Sequence, residues 1–155
     1  MLARQLHVDS KHVLKNIMPY KRFDTEMIVR PDDIDMNNHV HNSKYLDYVL
    51  FARYDQMGRC YGMSMDDFIE QGWVWVVKAC FIEFKRPLNI EHIVVRTWLD
   101  SFEKSDVKVG FQIFKKQGMK ISAEGYFLNT MIDQNTGRAV GIPDRVIQQY
   151  AQFVE

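Results

Sequence analysis

The chain has 155 residues, 46% hydrophobic and 13% aromatic, which suits one domain with a full core. Its 20 basic residues balance its 20 acidic ones, which argues against a nucleic-acid or anionic-membrane partner. Cys60 and Cys80 are too few for a disulfide framework. They read as free thiols in a reducing compartment. Met1 to Lys21 has no apolar signal-like core, and no apolar run approaches the ~18 residues of a membrane span. The expectation is a soluble, cytoplasmic, single-domain protein over 1–155.

Residues 1–20 read as a peripheral arm, in which His12 to Ile17 could form a helical turn or two ended by Pro19. Phe23 to Val29 alternates apolar and polar and predicts a first strand, closed by Pro31. Asp33 to Tyr45 is then dense in groups that donate, accept or take a proton, and is too polar for a core strand. It runs into a helix starting at Asn42 or Ser43, both good N-cap types, and ending near Arg59. Lys44, Asp47, Asp55 and Gln56 are the helix positions expected in solvent. The rest is apolar enough to need cover on most sides, which a short chain supplies only by curling a sheet around the helix. Ser64 to Glu70 predicts a short helix with a Ser64/Asp67 capping box.

From Trp73 the period switches to two. Strands are expected over Trp73–Phe84, His92–Phe102, Val107–Lys116 and Met119–Ile132, with a hairpin at Gln117-Gly118 and a turn over Asp133–Gly137. Trp73–Phe84 is apolar on both faces. Pro143 opens a last helix, Asp144–Phe153. Strand, buried helix and a strand meander make an α+β domain with one antiparallel sheet.

The run Asp35-Met36-Asn37-Asn38-His39-Val40-His41-Asn42-Ser43-Lys44-Tyr45 resembles the Asp-x-x-x-His-Val-x-Asn-x-x-Tyr motif of the hotdog-fold thioesterases. It is most similar to bacterial long-chain acyl-CoA thioesterases and plant acyl-ACP thioesterases. Glu83-Phe84-Lys85-Arg86-Pro87-Leu88 resembles the x-Tyr-Arg-Arg-Pro segment of the acyl-CoA group. Where the plant enzymes carry an acidic residue and a cysteine after their arginine pair, this chain has Pro87-Leu88, which favours the acyl-CoA group. Asn42 stands where short-acyl, 4-hydroxybenzoyl-CoA-type enzymes tend to carry an aromatic or a histidine. The resemblance spans roughly Lys21 to Pro143 and implies a five-stranded antiparallel sheet wrapped around a long central helix. It also implies a homodimer, and possibly a tetramer, with one continuous sheet through the Trp73–Phe84 edge.

Hydrolysing a thioester needs a base or nucleophile and a site for the oxyanion. The resemblance assigns the carboxylate role to Asp35, as nucleophile or as base for water. Asn37, His39 and Asn42 complete the candidate catalytic set, with His39 orienting water or the carbonyl. Backbone N–H groups near His41 and Asn42 are the candidate oxyanion site. Each has a plainer role open to it: turn capping for Asp35, Asn37 and Asn42, packing for His39. Asp33 reads as structural. Tyr45 is a candidate substrate contact or simply core. Lys85 and Arg86 are candidate ligands of coenzyme A phosphates, and Arg53 is either solvated or a further phosphate contact. The large side chains Tyr45, Tyr48 and Tyr54 on the helix favour medium- to long-chain acyl groups. No metal-ligand spacing, phosphate-binding glycine loop or nucleophile elbow occurs, so neither a metal nor a redox cofactor is expected. Acyl-ACP as carrier, a hydratase or dehydratase on the same fold, and a non-catalytic acyl-CoA-binding module are the competing readings.

Overall fold

A computed structural model describes residues 19–155, and the helical turn expected within residues 12–17 lies outside them. The elements are β1 (Arg22–Ile28), α1 (Tyr45–Arg59), α2 (Met65–Glu70), β2 (Trp73–Phe84), β3 (His92–Glu103), β4 (Asp106–Lys115), β5 (Lys120–Asp133) and α3 (Asp144–Tyr150). Short 3₁₀ turns lie at Pro31–Asp33, Asn42–Lys44 and Gln117–Met119. All strand pairs are antiparallel, in the order β1-β3-β4-β5-β2. One face of this five-stranded sheet packs on α1, giving the α+β hotdog arrangement.

The turns follow from their chemistry. Gly118 has φ 76° in the β4–β5 hairpin, a backbone region that glycine enters at no steric cost. The Asp133 carboxylate accepts the N–H groups of Asn135 and Thr136, folding the chain back after β5. Ser64 and Asp67 form the expected reciprocal capping box on α2. At Gly125 the neighbouring strand comes so close that an added Cβ would collide with the Phe81 carbonyl oxygen, so no side chain fits.

Helix α1 buries Tyr45, Val49, Ala52 and Gln56, spaced along one face, against the sheet. Gln56 is therefore not in solvent as expected: it is fully buried. Its Nε2 donates to the Phe23 carbonyl at 3.1 Å and to Thr25 Oγ1 at 3.0 Å, and its Oε1 accepts from Thr97. A lone glutamine in an apolar helix reads as solvated. Here it is tolerated because β1 and β3 present polar partners that satisfy its amide. Conversely, Phe51 and Tyr54 of α1 are more than half exposed.

Two boundaries differ from expectation. The α-helical turn begins at Tyr45, after the 3₁₀ turn, and neither Asn42 nor Ser43 caps it. The N-cap position of the α-helix falls on Lys44, without a side-chain cap bond, while His41 caps the preceding 3₁₀ turn, its Nδ1 accepting the Ser43 N–H at 3.1 Å. Helix α3 ends at Tyr150 rather than Phe153, because the tail turns to pair Phe153 with Tyr20, the two rings stacked at 4.9 Å.

Strand β2 is an edge. Among the described residues it pairs with β5 alone, and Val76, Val77, Phe81 and Phe84 stay exposed along it. The apolar character read on both of its faces is thus left partly uncovered by the described residues.

Candidate active site

The polar stretch forms a tight loop pinned at its base by an antiparallel bridge between Ile34 and Val40. The Asp35 N–H donates to the His39 carbonyl at 2.8 Å, and the Asn38 N–H to the Asp35 carbonyl at 3.0 Å. Asn38 takes φ 62°, a left-handed conformation that asparagine adopts more readily than most residues. Inside this turn, Asp35 Oδ1 accepts the backbone N–H groups of Asn37 at 2.8 Å and His39 at 3.3 Å. The turn-capping role of Asp35 is therefore present. It occupies one carboxylate oxygen and leaves Oδ2 without a hydrogen bond among the described residues. Asp35 and His39 are half-buried, while Asn37 and Asn42 are exposed.

Asp33 differs in every respect. Its side chain is 2% exposed. The Arg30 guanidinium donates to both carboxylate oxygens at 3.2 Å, and the Tyr48 hydroxyl donates to Oδ2 at 2.7 Å. Arg30, helped by Tyr48 and by Lys44 at 4.0 Å, holds the Asp33 carboxyl below the usual carboxylate range against the upward push of burial. Burial and the Asp33 charge push the Tyr48 hydroxyl well above its usual value.

Further bonds close the loop and tie it to the 85–88 segment. The His41 N–H donates to the Asp33 carbonyl at 2.9 Å, and the Val40 N–H to the Leu88 carbonyl at 2.9 Å. The Leu88 N–H in turn donates to the Tyr45 hydroxyl at 3.3 Å. The His41 N–H is thus spent and cannot serve an oxyanion. The Asn42 N–H, at the start of the 3₁₀ turn, is the remaining candidate of the two, with no backbone acceptor. Tyr45 is 3% exposed and packs edge-on to Phe84 at 4.9 Å, so ring and hydroxyl both serve the junction of loop, helix and β2. Lys85 and Arg86 lie exposed just after β2. Lys85 pairs with Glu83 at 2.9 Å and Glu124 at 3.4 Å, and Arg86 donates to the Ile121 carbonyl at 2.8 Å. The structure thus gathers Asp35, Asn37 and His39 in one turn, with Asn42 at its exit. It reaches the 85–88 segment through Val40 and Tyr45.

A second feature lies further along α1. Leu50, Arg53, Tyr54 and Met57, one helical face, line a small apolar cleft closed by Phe68, Trp75 and Phe127, with a volume of about 70 Å³.

A sequence model of the thioesterase-like superfamily matches residues 29–150, which takes in the loop, the central helix and the whole meander. The chain belongs to the thioesterase-like superfamily. A search of curated proteins gives no significant sequence match. Among solved structures, this superfamily member is similar to DHNA-CoA thioesterase from Staphylococcus aureus: TM-score 0.75, 19% identity, covering 86% of this chain and 97% of that one. It is similar too to a 1,4-dihydroxy-2-naphthoyl-CoA thioesterase from Synechocystis, with TM-score 0.74, 15% identity and coverage of 84% and 96%. A hypothetical protein from Thermus thermophilus gives TM-score 0.76 at 23% identity, covering 84% of this chain and 95% of that one. At these identities the neighbours establish the shared fold.

No helix of this thioesterase-superfamily chain, among the described residues, is long and apolar enough to cross a membrane. No three His, Cys, Asp or Glu side chains among those residues are grouped to hold a metal ion. Sequence reasoning missed the Arg30–Asp33–Tyr48 lock, though the i,i+3 spacing of Arg30 and Asp33 around Pro31 was a usable signal. It also placed Arg53 in solvent or on phosphates. Arg53 is 6% exposed, inside the cleft.

Proposed function

We propose that the chain hydrolyses medium- to long-chain acyl-CoA to the free acid and coenzyme A, with Asp35 as the reacting carboxylate. The observation that carries this reading is the state of Asp35. Two backbone N–H groups fix its Oδ1, so the side chain is oriented without being neutralised by a cation, and Oδ2 is left to act. From there it either removes a proton from water attacking the carbonyl carbon or attacks that carbon itself. In both cases the C–S bond breaks and the thiolate leaves with a proton, and water ends as the new carboxyl oxygen. The Asn42 N–H, at the positive end of the helix start, suits the developing oxyanion. His39, in the same turn, orients the water or the carbonyl. The exposed Lys85 and Arg86 meet coenzyme A phosphates by exchanging their present partners. The reaction needs no cofactor beyond the coenzyme A of its substrate.

The same reading has β2 pairing with its copy in a second subunit. An edge strand with Val76, Val77, Phe81 and Phe84 exposed is a pairing and aggregation template unless covered. Each active site would then lie beside the interface.

The test is thiol release over a panel of saturated acyl-CoAs, with acetyl-CoA and an aryl-CoA for comparison. Medium- to long-chain substrates should show the highest kcat/KM. Release from a saturated chain separates a thioesterase from a hydratase, which cannot act on it. Binding without release would identify a non-catalytic module, and faster release from acyl-ACP would reassign the carrier.

A further inference from the structure

Arg53 is a buried cation without a counter-charge among the described residues. Its residue is 6% exposed, and its Nη1 is buried with no hydrogen-bond partner. No carboxylate among the described residues lies within 4.0 Å of it, although twelve other ion pairs are formed. Its guanidinium packs over Tyr61 at 5.1 Å and Tyr150 at 6.0 Å. Those ring faces offset part of the charge. They offer no acceptor to the N–H groups, and a charge taken out of water costs several kcal/mol unless its donors are met. The buried Tyr61 hydroxyl beside it falls short of good hydrogen-bond geometry but faces the guanidinium closely enough to be a weak, neutral acceptor for it. A guanidinium lining a cleft with only a weak neutral neighbour has donors left over for an anionic acceptor.

The place is informative. Arg53 lines the apolar cleft together with Leu50, Met57, Trp75, Phe127 and, as a second polar side chain, Asn129 of β5. The cleft lies on α1, the helix into whose first turn the Asp35 loop feeds. Arg53 is eight residues beyond Tyr45, about 12 Å along the helix axis. A plain alkyl chain laid in this cleft would seal the guanidinium away from water and leave it unpaired. An acyl group ending in a carboxylate would pair it in the fork geometry that arginine favours.

We propose that Arg53 binds a second carboxylate at the far end of the acyl group, so that the preferred substrate is an ω-carboxyacyl thioester. This rests on the thioesterase reading above and narrows its substrate class.

The test uses the full chain and matched-length pairs of saturated acyl-CoA and ω-carboxyacyl-CoA. Wild type should favour the ω-carboxyacyl member in kcat/KM by roughly tenfold to a hundredfold, the range for a hydrogen-bonded charge. Arg53→Met keeps length and apolar packing and removes the charge. It should lower kcat/KM for the ω-carboxyacyl member by a similar factor and raise it for the neutral member, inverting the preference. Equal or reversed preference in wild type overturns the proposal, as does an equal loss on both members in Arg53→Met. If Arg53→Met does not fold, the wild-type preference alone decides.

Titration with the free α,ω-dicarboxylic acid separates this proposal from the thioesterase reading. Binding to wild type that Arg53→Met abolishes, with no thiol release from any substrate, keeps the Arg53 site and sinks the hydrolase. Thiol release with no dicarboxylate binding and no ω-carboxyacyl preference keeps the hydrolase and sinks the Arg53 site.

Discussion

Asp33 and Asp35 stand two residues apart in one loop and live in opposite environments. Asp33 is sealed under Arg30 and Tyr48, both oxygens bonded to side-chain donors. Asp35 is half-buried, and its bonds are two backbone N–H groups on a single oxygen. A carboxylate clamped by a guanidinium and a phenol is a poor base or nucleophile, since its charge is already spent. A carboxylate aimed by backbone alone keeps an oxygen for chemistry. The difference separates a fastening from the carboxylate proposed to react within one motif, and it predicts that the two residues fail differently when changed.

The largest effect on folding falls at Asp33. Asp33→Ala orphans the buried Tyr48 hydroxyl and frees Arg30, at a cost of about 1–3 kcal/mol. Chemical denaturation should show this as a lower midpoint at unchanged slope. A wild-type-like midpoint would mean that the buried lock contributes nothing. The second effect is its pH signature. The folded-state pKa of Asp33 is depressed, so its contribution is fully present above the ordinary aspartate value of about 3.9 and is lost as pH falls through the folded value. The stability gap between wild type and Asp33→Asn should therefore be widest at neutral pH and close in acid. Asp55, held low by Arg59 and Thr25, adds an acid limb common to both proteins. A gap that stays constant from neutral pH into acid would contradict the Arg30 pairing. The smallest effect on folding is at Asp35. Asparagine keeps the oxygen that accepts from Asn37 and His39, so Asp35→Asn should change stability by less than the ~0.5–2 kcal/mol of a lost cap bond. A loss beyond that range would make Asp35 a structural aspartate.

Much of this was legible in the sequence. The period-two runs from Trp73 onward gave four strands whose bounds agree with the structure within a few residues, because each is flanked by turn residues. The Ser64/Asp67 box and the Gly118 hairpin were readable from local chemistry. What stayed hidden depended on partners remote in the chain. Gln56 is buried because Thr25 and Thr97 meet it from β1 and β3, and nothing near position 56 announces them. Arg53 looks like one more surface arginine until α2, β2 and α3 close over it. The cap at His41 escaped notice because histidine is not a usual N-cap and acts here through a ring nitrogen. The loop itself was visible as a dense polar run. Its internal division into a lock and a free carboxylate needed the fold.

The most direct measurement is thiol release from a medium-chain acyl-CoA by Asp35→Asn and Asp33→Asn side by side, each rate expressed per folded molecule. General-base catalysis is worth roughly 10²- to 10⁴-fold. Asp35→Asn should lose at least about a hundredfold in kcat with a near wild-type melting temperature. Asp33→Asn should lose far less rate while melting lower. Near wild-type turnover by Asp35→Asn would contradict the account.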